Sequence, residues 1–245
     1  MLLNGSKLVL RANFIGIYLH GSLAAGDFNP DSSDVDFAVI NKNEISVREI
    51  AELAKLNEKI VATGSRWGTL LEGAFIPVSL IKCYGDTHSQ QPSISTGGTF
   101  GLDRKGIEEP IQRWVLREKG ITLAGPDPKT FISPVTSDEL RTATLEVLNS
   151  WWKPMLDDTR RLQDPEYQVY AVLTMCRMMY TLEFGIVVSK PQAAKWAVAK
   201  LDKKWSSLIE QALRWKLGSN FSHLSETLDF MKFYISQPYP AKKQS

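Results

Sequence analysis

The chain has 245 residues, of which 43% are apolar, and its 29 basic residues nearly balance 27 acidic ones. This length suffices for one large domain or two small ones, and the apolar fraction suffices for a hydrophobic core. The formal charge of only +2 argues against a protein whose main task is to grip a nucleic-acid backbone, because such proteins carry a basic excess.

The cysteines and the hydropathy pattern indicate the compartment. Cys83 and Cys176 lie far apart without a metal-ligand spacing, so we interpret them as free thiols in a reducing compartment. No apolar run approaches the roughly 20 residues that span a bilayer, and the N-terminal segment lacks a signal-peptide cleavage site. We therefore expect a cytoplasmic protein with no membrane partner.

Short apolar runs and turns alternate in the first half of the chain. Compact apolar runs bounded by turn residues predict strands over residues 15–19, 35–40 and 70–80. Residues 29–33 have the composition of a turn, and apolar residues at helical spacing predict a helix over residues 44–60. Residues 84–106, rich in Gly, Ser and Thr, are predicted to form a long loop, which in a compact domain is usually functional or mobile.

After residues 125–128 the pattern becomes helical. A capping box at Thr136 begins a predicted helix whose apolar stripe continues to Trp151. The next helix is bounded by Asp164 as N-cap and by Gly185 just past its end. Its interior is apolar on nearly all sides, which is typical of the central helix of a bundle. Further helices are predicted over residues 191–201, 203–217 and 222–235.

This change of pattern divides the chain into two domains. We predict an α+β protein in which a small mixed-sheet domain, residues 1–130, is followed by an α-helical bundle domain, residues 131–245. No internal repeat that would indicate a solenoid is present in the sequence.

The residues with the clearest chemical meaning lie around the predicted strands. Asp34 and Asp36 alternate along a strand, so their carboxylates share one face, where they repel unless a cation lies between them. Mg²⁺ prefers carboxylate and phosphate oxygens, which makes a nucleotide triphosphate its natural companion. Gly21 and Ser22 follow the first strand, where a backbone amide and a hydroxyl can contact a phosphate. Glu72 is a candidate either to accept a proton from an attacking hydroxyl or to complete the metal site.

Each of these motifs has an ordinary structural interpretation when it stands alone. An Asp-x-Asp is usually a turn or a solvated strand end, and a Gly-Ser pair carries little information. The order strand, Gly21-Ser22, turn, Asp34-Val35-Asp36, strand is specific, and it predicts a site for a triphosphate with its metal ion.

The same residues resemble a known superfamily. HGSLAAG and SDVDF, residues 20–26 and 33–37, are similar to the signature of the DNA polymerase β-like nucleotidyltransferases. In the second half, three segments resemble the aminoglycoside adenylyltransferases that modify streptomycin and spectinomycin: LAGP at 123–126, LTMCRMMY at 173–180 and SKPQAAKWA at 189–197. The resemblance extends over about residues 15–217.

This resemblance implies transfer of AMP from ATP to a hydroxyl of an aminoglycoside or aminocyclitol, which confers antibiotic resistance. Asp34 and Asp36 are implied to bind Mg²⁺. Glu72 is implied to be the general base, and it remains a candidate third metal ligand. Gly21 and Ser22 are implied to hold the triphosphate.

Two basic residues in the second half are implied to bind the nucleotide. Arg177 lies in an apolar helix, where an arginine needs an anionic partner, so a structural ion pair is the alternative to a ligand role. Lys190 lies at a predicted helix start, where the helix dipole does not favour a lysine. Its alternative is a solvated residue at a helix terminus.

The acceptor-binding residues follow the family less closely. Trp151 and Trp152 fall where family members carry a tryptophan that stacks on the substrate, and core packing is the alternative for both. Asp164 and Glu166 belong to the region where the family places acidic residues against a cationic substrate. Two arginines interrupt the acidic residues of segment 157–166 here, so the family pattern is not reproduced.

Three hypotheses for the function remain open at this point. The first is an aminoglycoside adenylyltransferase, expected to act as a monomer on ATP and a small-molecule acceptor without nucleic acid. The second is a nucleotidyltransferase of the same superfamily that acts on another small molecule, a protein or an RNA. The third is a non-catalytic binding protein that keeps the fold, against which the intact carboxylates Asp34, Asp36 and Glu72 argue.

Overall fold

The chain divides into two compact units, Met1–Val135 and Thr136–Ser245. The computed structural model describes residues 1–31, 33–82, 90–103 and 109–237. Within those ranges no helix has both the length and the apolar character needed to cross a membrane. Cys176 is a free, buried thiol whose pKa burial raises to about 12. Cys83 lies outside the described residues, and its predicted free state stays a prediction.

The N-terminal unit is built on a six-stranded sheet flanked by helices. In chain order its elements are α1 (Leu2–Leu10), β1 (Phe14–Leu19), α2 (Gly21–Ala25), β2 (Val35–Asn41), α3 (Val47–Val61), α4 (Arg66–Thr69), β3 (Leu71–Pro77), α5 (Val78–Lys82), β4 (Gln91–Ser95), β5 (Thr99–Asp103), α6 (Pro110–Lys119) and β6 (Ile121–Ala124). The strand order is β5-β4-β3-β2-β1-β6. β2 and β3 are parallel, and the other neighbouring pairs are antiparallel.

An apolar cluster covers each face of this sheet. Successive side chains of a strand point to opposite sides, so the central strands contribute to both clusters. On β2, Phe37 and Val39 belong to one core cluster, which also contains residues of α1 and α3. Ala38 and Ile40 belong to a second cluster, which contains Leu116 of α6. The central strands are therefore apolar on both faces along most of their length.

Two predictions for this unit were wrong. The strand predicted over residues 70–80 ends at Pro77, which lacks a backbone N–H, and the short helix α5 follows directly. Residues 91–103 of the predicted long loop form the β4–β5 hairpin, with the left-handed Gly97 and Gly98 in its turn. Small and polar residues dominate this segment, so its sequence lacks the alternation of apolar residues that predicts a strand. Apart from Gln90, the rest of the predicted loop lies outside the described residues.

The C-terminal unit is helical and packs around one long helix. Its helices are α7 (Ser137–Val147), α8 (Pro165–Phe184), α9 (Lys190–Lys200), α10 (Lys203–Arg214) and α11 (Leu224–Ile235). The predicted capping box at Thr136 is confirmed, as are the Asp164 cap and the left-handed Gly185 that bound α8. Residues from all sides of α8 belong to the core, so the predicted central helix and the α+β fold class are confirmed.

The end of α7 holds an irregularity that matters for the candidate site. The helix continues as a π turn over Leu148–Trp152, which contains five residues, and then as a 3₁₀ turn over Lys153–Leu156. A π turn advances the side chains less per residue than an α-helix does, so it shifts the buried stripe relative to regular helical spacing.

Candidate active site

Two of the candidate carboxylates are placed side by side by strand pairing. Asp36 on β2 and Glu72 on β3 are direct partners in the parallel register. The residues two and four positions after each of them belong to the same core cluster, so both side chains lie on that face of the sheet. Asp34 immediately precedes β2 and, two residues before Asp36, falls on the same face by alternation. The predicted proximity of these carboxylates thus follows from the backbone alone.

Gly21 lies directly against the Asp36 carboxylate. Its φ is +59°, and a Cβ at this position would lie 1.8 Å from Oδ2 of Asp36. The preceding backbone amide, that of His20, donates a hydrogen bond of 3.1 Å to the Asp36 carbonyl oxygen. Only glycine permits both the left-handed backbone and the close approach, so the sequence Gly21-Ser22 is held beside the carboxylates.

His20, directly after β1, is a buried polar residue beside β2. It is 8% exposed, and burial lowers its pKa to about 4, against the opposing effects of a hydrogen bond with the Phe37 backbone and of the Glu72 charge. Within the described part of the chain its Nε2 has no hydrogen-bond partner. The imidazole is therefore neutral at pH 7.

The donor chemistry of Asp34 and Asp36 fits Mg²⁺, which favours carboxylate oxygens and usually completes its shell with water and substrate phosphates. Among the described residues, no group of three or more carboxylate, imidazole or thiol side chains is arranged to hold a metal ion. The role of Glu72 as a third metal ligand stays a prediction.

Glu72 contacts a residue that the sequence did not single out. The Thr96 hydroxyl, in the β4–β5 turn, donates a hydrogen bond of 3.2 Å to Oε2 of Glu72. The adjacent turn residue, Gly97, donates its N–H to the carbonyl oxygen of Thr69, 2.7 Å away and just before β3. These two hydrogen bonds therefore connect the hairpin turn to the start of β3 near the Glu72 carboxylate.

The predicted nucleotide-binding residues of the second unit lie on neighbouring helices. Arg177 is half-buried on α8, and Lys190 is the half-buried first residue of α9, preceded by Ser189 as N-cap. The α8 and α9 helices pack against each other. The Lys190 ammonium lies 4.3 Å from the ring centroid of Tyr170, a cation–π contact that restrains the lysine.

The two tryptophans at the end of α7 have different environments. Trp152 is 1% exposed and packs against Tyr167 and Tyr170, with ring centroids 6.2 and 5.6 Å away. Trp151 is 44% exposed, and the Arg161 guanidinium lies 4.8 Å from its ring centroid. The sequence pattern placed Trp151 on the apolar stripe, but the π turn brings Trp152 into the core. The expectation that Trp152 stacks on a substrate is therefore corrected, because its ring has no open face.

Asp164 and Glu166 are both exposed at the start of α8. Asp164 acts as N-cap and accepts a hydrogen bond of 2.9 Å from the Glu166 backbone N–H. Of the two arginines that interrupt this acidic segment, Arg160 is paired with Asp158 and Arg161 with the Trp151 ring. The interrupting charges are thus engaged locally.

Comparison with known proteins agrees with both halves of the chain. Residues 7–66 match the family model of the nucleotidyltransferase domain, and residues 130–236 match that of the aminoglycoside adenylyltransferase C-terminal domain. A spectinomycin 9-adenylyltransferase of Campylobacter jejuni is 28% identical over 235 residues, which are 91% of this chain and 86% of that protein. The chain is a nucleotidyltransferase related to the aminoglycoside adenylyltransferases.

Other relatives extend this result. An aminoglycoside (3'') (9) adenylyltransferase of Escherichia coli is 27% identical over 243 residues, 92% of this nucleotidyltransferase and 86% of the relative. The fold of the present chain matches that of the spectinomycin adenyltransferase AAD(9) from Enterococcus faecialis, crystallised with ATP and spectinomycin. That match has a TM-score of 0.71 at 18% identity and covers 96% of this chain and 98% of that one. The resemblance identified from the sequence is confirmed.

Three residues beside the candidate groups of this nucleotidyltransferase were missed by sequence reasoning. The Glu72 charge acts on the buried His20, Thr96 donates a hydrogen bond to Glu72, and the Tyr170 ring lies 4.3 Å from the Lys190 ammonium. A histidine directly before the Gly-Ser pair was a visible signal for the first. The other two contacts join residues 20 or more positions apart, and no local pattern predicts them.

Proposed function

We propose that this nucleotidyltransferase moves AMP from ATP to a hydroxyl of an aminocyclitol or aminoglycoside antibiotic such as spectinomycin or streptomycin, and thereby confers resistance. The observation that carries the proposal is the in-register pair Asp36 and Glu72, with Gly21-Ser22 held against it. The names of the relatives supply the acceptor class. We also propose that the protein acts in the cytoplasm as a monomer, without a nucleic acid or membrane partner.

Asp34 and Asp36 are the proposed ligands of Mg²⁺. When bound, the ion neutralises phosphate charge and orients the α-phosphorus for in-line attack. The neutral His20 beside these carboxylates adds no positive charge that would compete with a cation. Ser22, next to Gly21, donates its hydroxyl to the triphosphate in this proposal.

Glu72 is the proposed general base. It accepts the proton of the acceptor hydroxyl as the acceptor oxygen forms its bond to the α-phosphorus, and the bond to the β-phosphate breaks to release pyrophosphate. Catalysis of this kind rests on positioning and charge stabilisation, which suits carboxylates fixed by strand register.

The second unit supplies the remaining proposed contacts. Arg177 and Lys190 provide positive charge for the nucleotide phosphates. Trp151 offers an exposed ring for the apolar face of the acceptor, and the exposed carboxylates Asp164 and Glu166 suit the ammonium groups of such antibiotics. Trp152 is part of the hydrophobic core of this unit.

The test is mass spectrometry of spectinomycin, streptomycin and related aminocyclitols after incubation with enzyme, ATP and Mg²⁺. We expect a product heavier by one adenylyl group, formed by the wild type and by Glu58→Gln, a control on the exposed side of α3, and absent with Asp36→Asn. If no antibiotic is modified while ATP still binds, the acceptor assignment is wrong. AMP found on a protein or an RNA in the same reaction would then favour the other acceptor class.

A further inference from the structure

The β4–β5 turn ends at the candidate general base. Thr96 begins the turn, and its hydroxyl donates to Oε2 of Glu72 over 3.2 Å. At 3.2 Å this bond is longer than the roughly 2.5–2.7 Å typical of a hydroxyl that donates to a carboxylate, so it orients the side chain more than it stabilises the unit. Such a bond restricts rotation of the carboxylate about its terminal torsion, which is otherwise broad.

The turn is fixed to the rest of the unit on both sides. Asn57 of α3 is 3% exposed, and its Nδ2 donates to the Gly98 carbonyl oxygen over 2.7 Å. On the other side, the Gly97 N–H donates to the Thr69 carbonyl oxygen over 2.7 Å. Gly97 and Gly98 both have positive φ, 90° and 77°, so the turn has a defined backbone shape that most residues disfavour.

We propose that Thr96 is a positioning residue for Glu72. The buried amide of Asn57 and the Thr69 carbonyl hold the turn, the turn holds the Thr96 hydroxyl, and the hydroxyl sets the orientation of the carboxylate. This inference rests on the proposed role of Glu72 as general base. It predicts that Thr96 controls the rate of proton removal through Glu72, because a base must lie within hydrogen-bond reach of the proton it accepts.

The first test removes the hydroxyl while preserving the shape of the side chain. Thr96→Val is expected to lower kcat about tenfold and to leave the KM for ATP and the melting temperature unchanged. Thr96→Ser retains the hydroxyl and is expected to stay within about twofold of the wild type. Thr122→Val is the matched control, since Thr122 is an exposed threonine of β6, which β2 and β1 separate from β3.

The second test places Thr96→Val in a Glu72→Gln background and measures single-turnover transfer. If Thr96 acts through Glu72, the second substitution is expected to change the residual rate less than twofold. A full tenfold loss in that background would overturn the inference, because Thr96 would then act independently of the base.

Failure of this inference can be told apart from failure of the proposed function. If Glu72→Gln is inactive while Thr96→Val has near-normal activity, the positioning role of Thr96 is rejected and Glu72 remains the base. If Glu72→Gln has near-normal turnover, both the role of Glu72 as base and the positioning role of Thr96 are rejected. An equal loss of kcat in Thr96→Ser and Thr96→Val would also overturn the inference, because the hydroxyl would not be the deciding group.

Discussion

The two units place their candidate functional groups by different means. In the N-terminal unit, Asp36 and Glu72 are set by strand register and Gly21 by a backbone contact, so the main chain defines the geometry. In the C-terminal unit, Lys190 is restrained by the ring of Tyr170 and the aromatic cluster around Trp152, so side-chain packing defines it. We expect the first unit to lose function after small backbone changes and the second after loss of packing.

The largest expected effect concerns packing in the C-terminal unit. Trp152→Ala should lower the free energy of unfolding by about 3–5 kcal/mol, because it removes a fully buried aromatic side chain. Trp151→Ala should cost less than about 1 kcal/mol but raise the KM for the acceptor, since that ring is exposed. Urea denaturation and steady-state kinetics of both variants measure the difference. Equal destabilisation by the two substitutions would contradict the assignment of Trp152 to the core.

The next effect concerns the backbone of the N-terminal unit. Gly21→Ala should lower kcat at least about a hundredfold, because the new Cβ would collide with Oδ2 of Asp36 and displace it. Gly26→Ala is the matched control: its φ is also positive, but a Cβ there meets nothing within 4 Å. Strain alone should therefore cost the control about 1 kcal/mol of stability and leave kcat nearly unchanged. Equal losses of kcat in both variants would show that backbone strain, not contact with Asp36, is decisive.

A smaller effect is the pH dependence of stability that arises from His20. Its pKa of about 4 in the folded state lies below 6.5, the value expected when unfolded. Between those values the unfolded state binds more protons, so this contribution is complete above pH 6.5 and is lost as pH falls toward 4. From pH 6.5 to pH 5 we expect about 1.5 kcal/mol less stability from this group. Chemical denaturation measures this effect: between pH 6.5 and pH 5 the wild type should lose about 1.5 kcal/mol more of its free energy of unfolding than His20→Gln does. Identical pH profiles of the two proteins would contradict the burial of a neutral imidazole.

The smallest expected effects concern Lys190. Lys190→Ala should raise the KM for ATP about tenfold through loss of a phosphate contact. Tyr170→Leu, which removes the ring beside the ammonium but keeps an apolar side chain, should raise it about threefold. Lys195→Ala, on the exposed side of α9, is the control and should leave the KM unchanged. If Tyr170→Leu raised the KM more than Lys190→Ala did, the ring would have a role of its own.

The sequence predicts those groups whose placement depends on local periodicity. Alternation along a strand predicted the shared face of Asp34 and Asp36, and cap residues predicted both ends of α8. It failed where the pattern is irregular or long-range. The π turn at the end of α7 exchanged the roles of Trp151 and Trp152, and the β4–β5 hairpin has too few apolar residues to be predicted as strands. The contact of Thr96 with Glu72 depends on that hairpin and could not be predicted without it.

Comparing ATP binding with AMP transfer in Glu72→Gln tests the role of Glu72 as general base most directly. We expect the Kd for ATP with Mg²⁺ to stay within about twofold of the wild type, while the single-turnover rate of transfer falls by about 10²–10⁴. Near-normal transfer would contradict the assignment of Glu72 as general base. Loss of ATP affinity together with transfer would show instead that Glu72 takes part in holding the nucleotide or its metal.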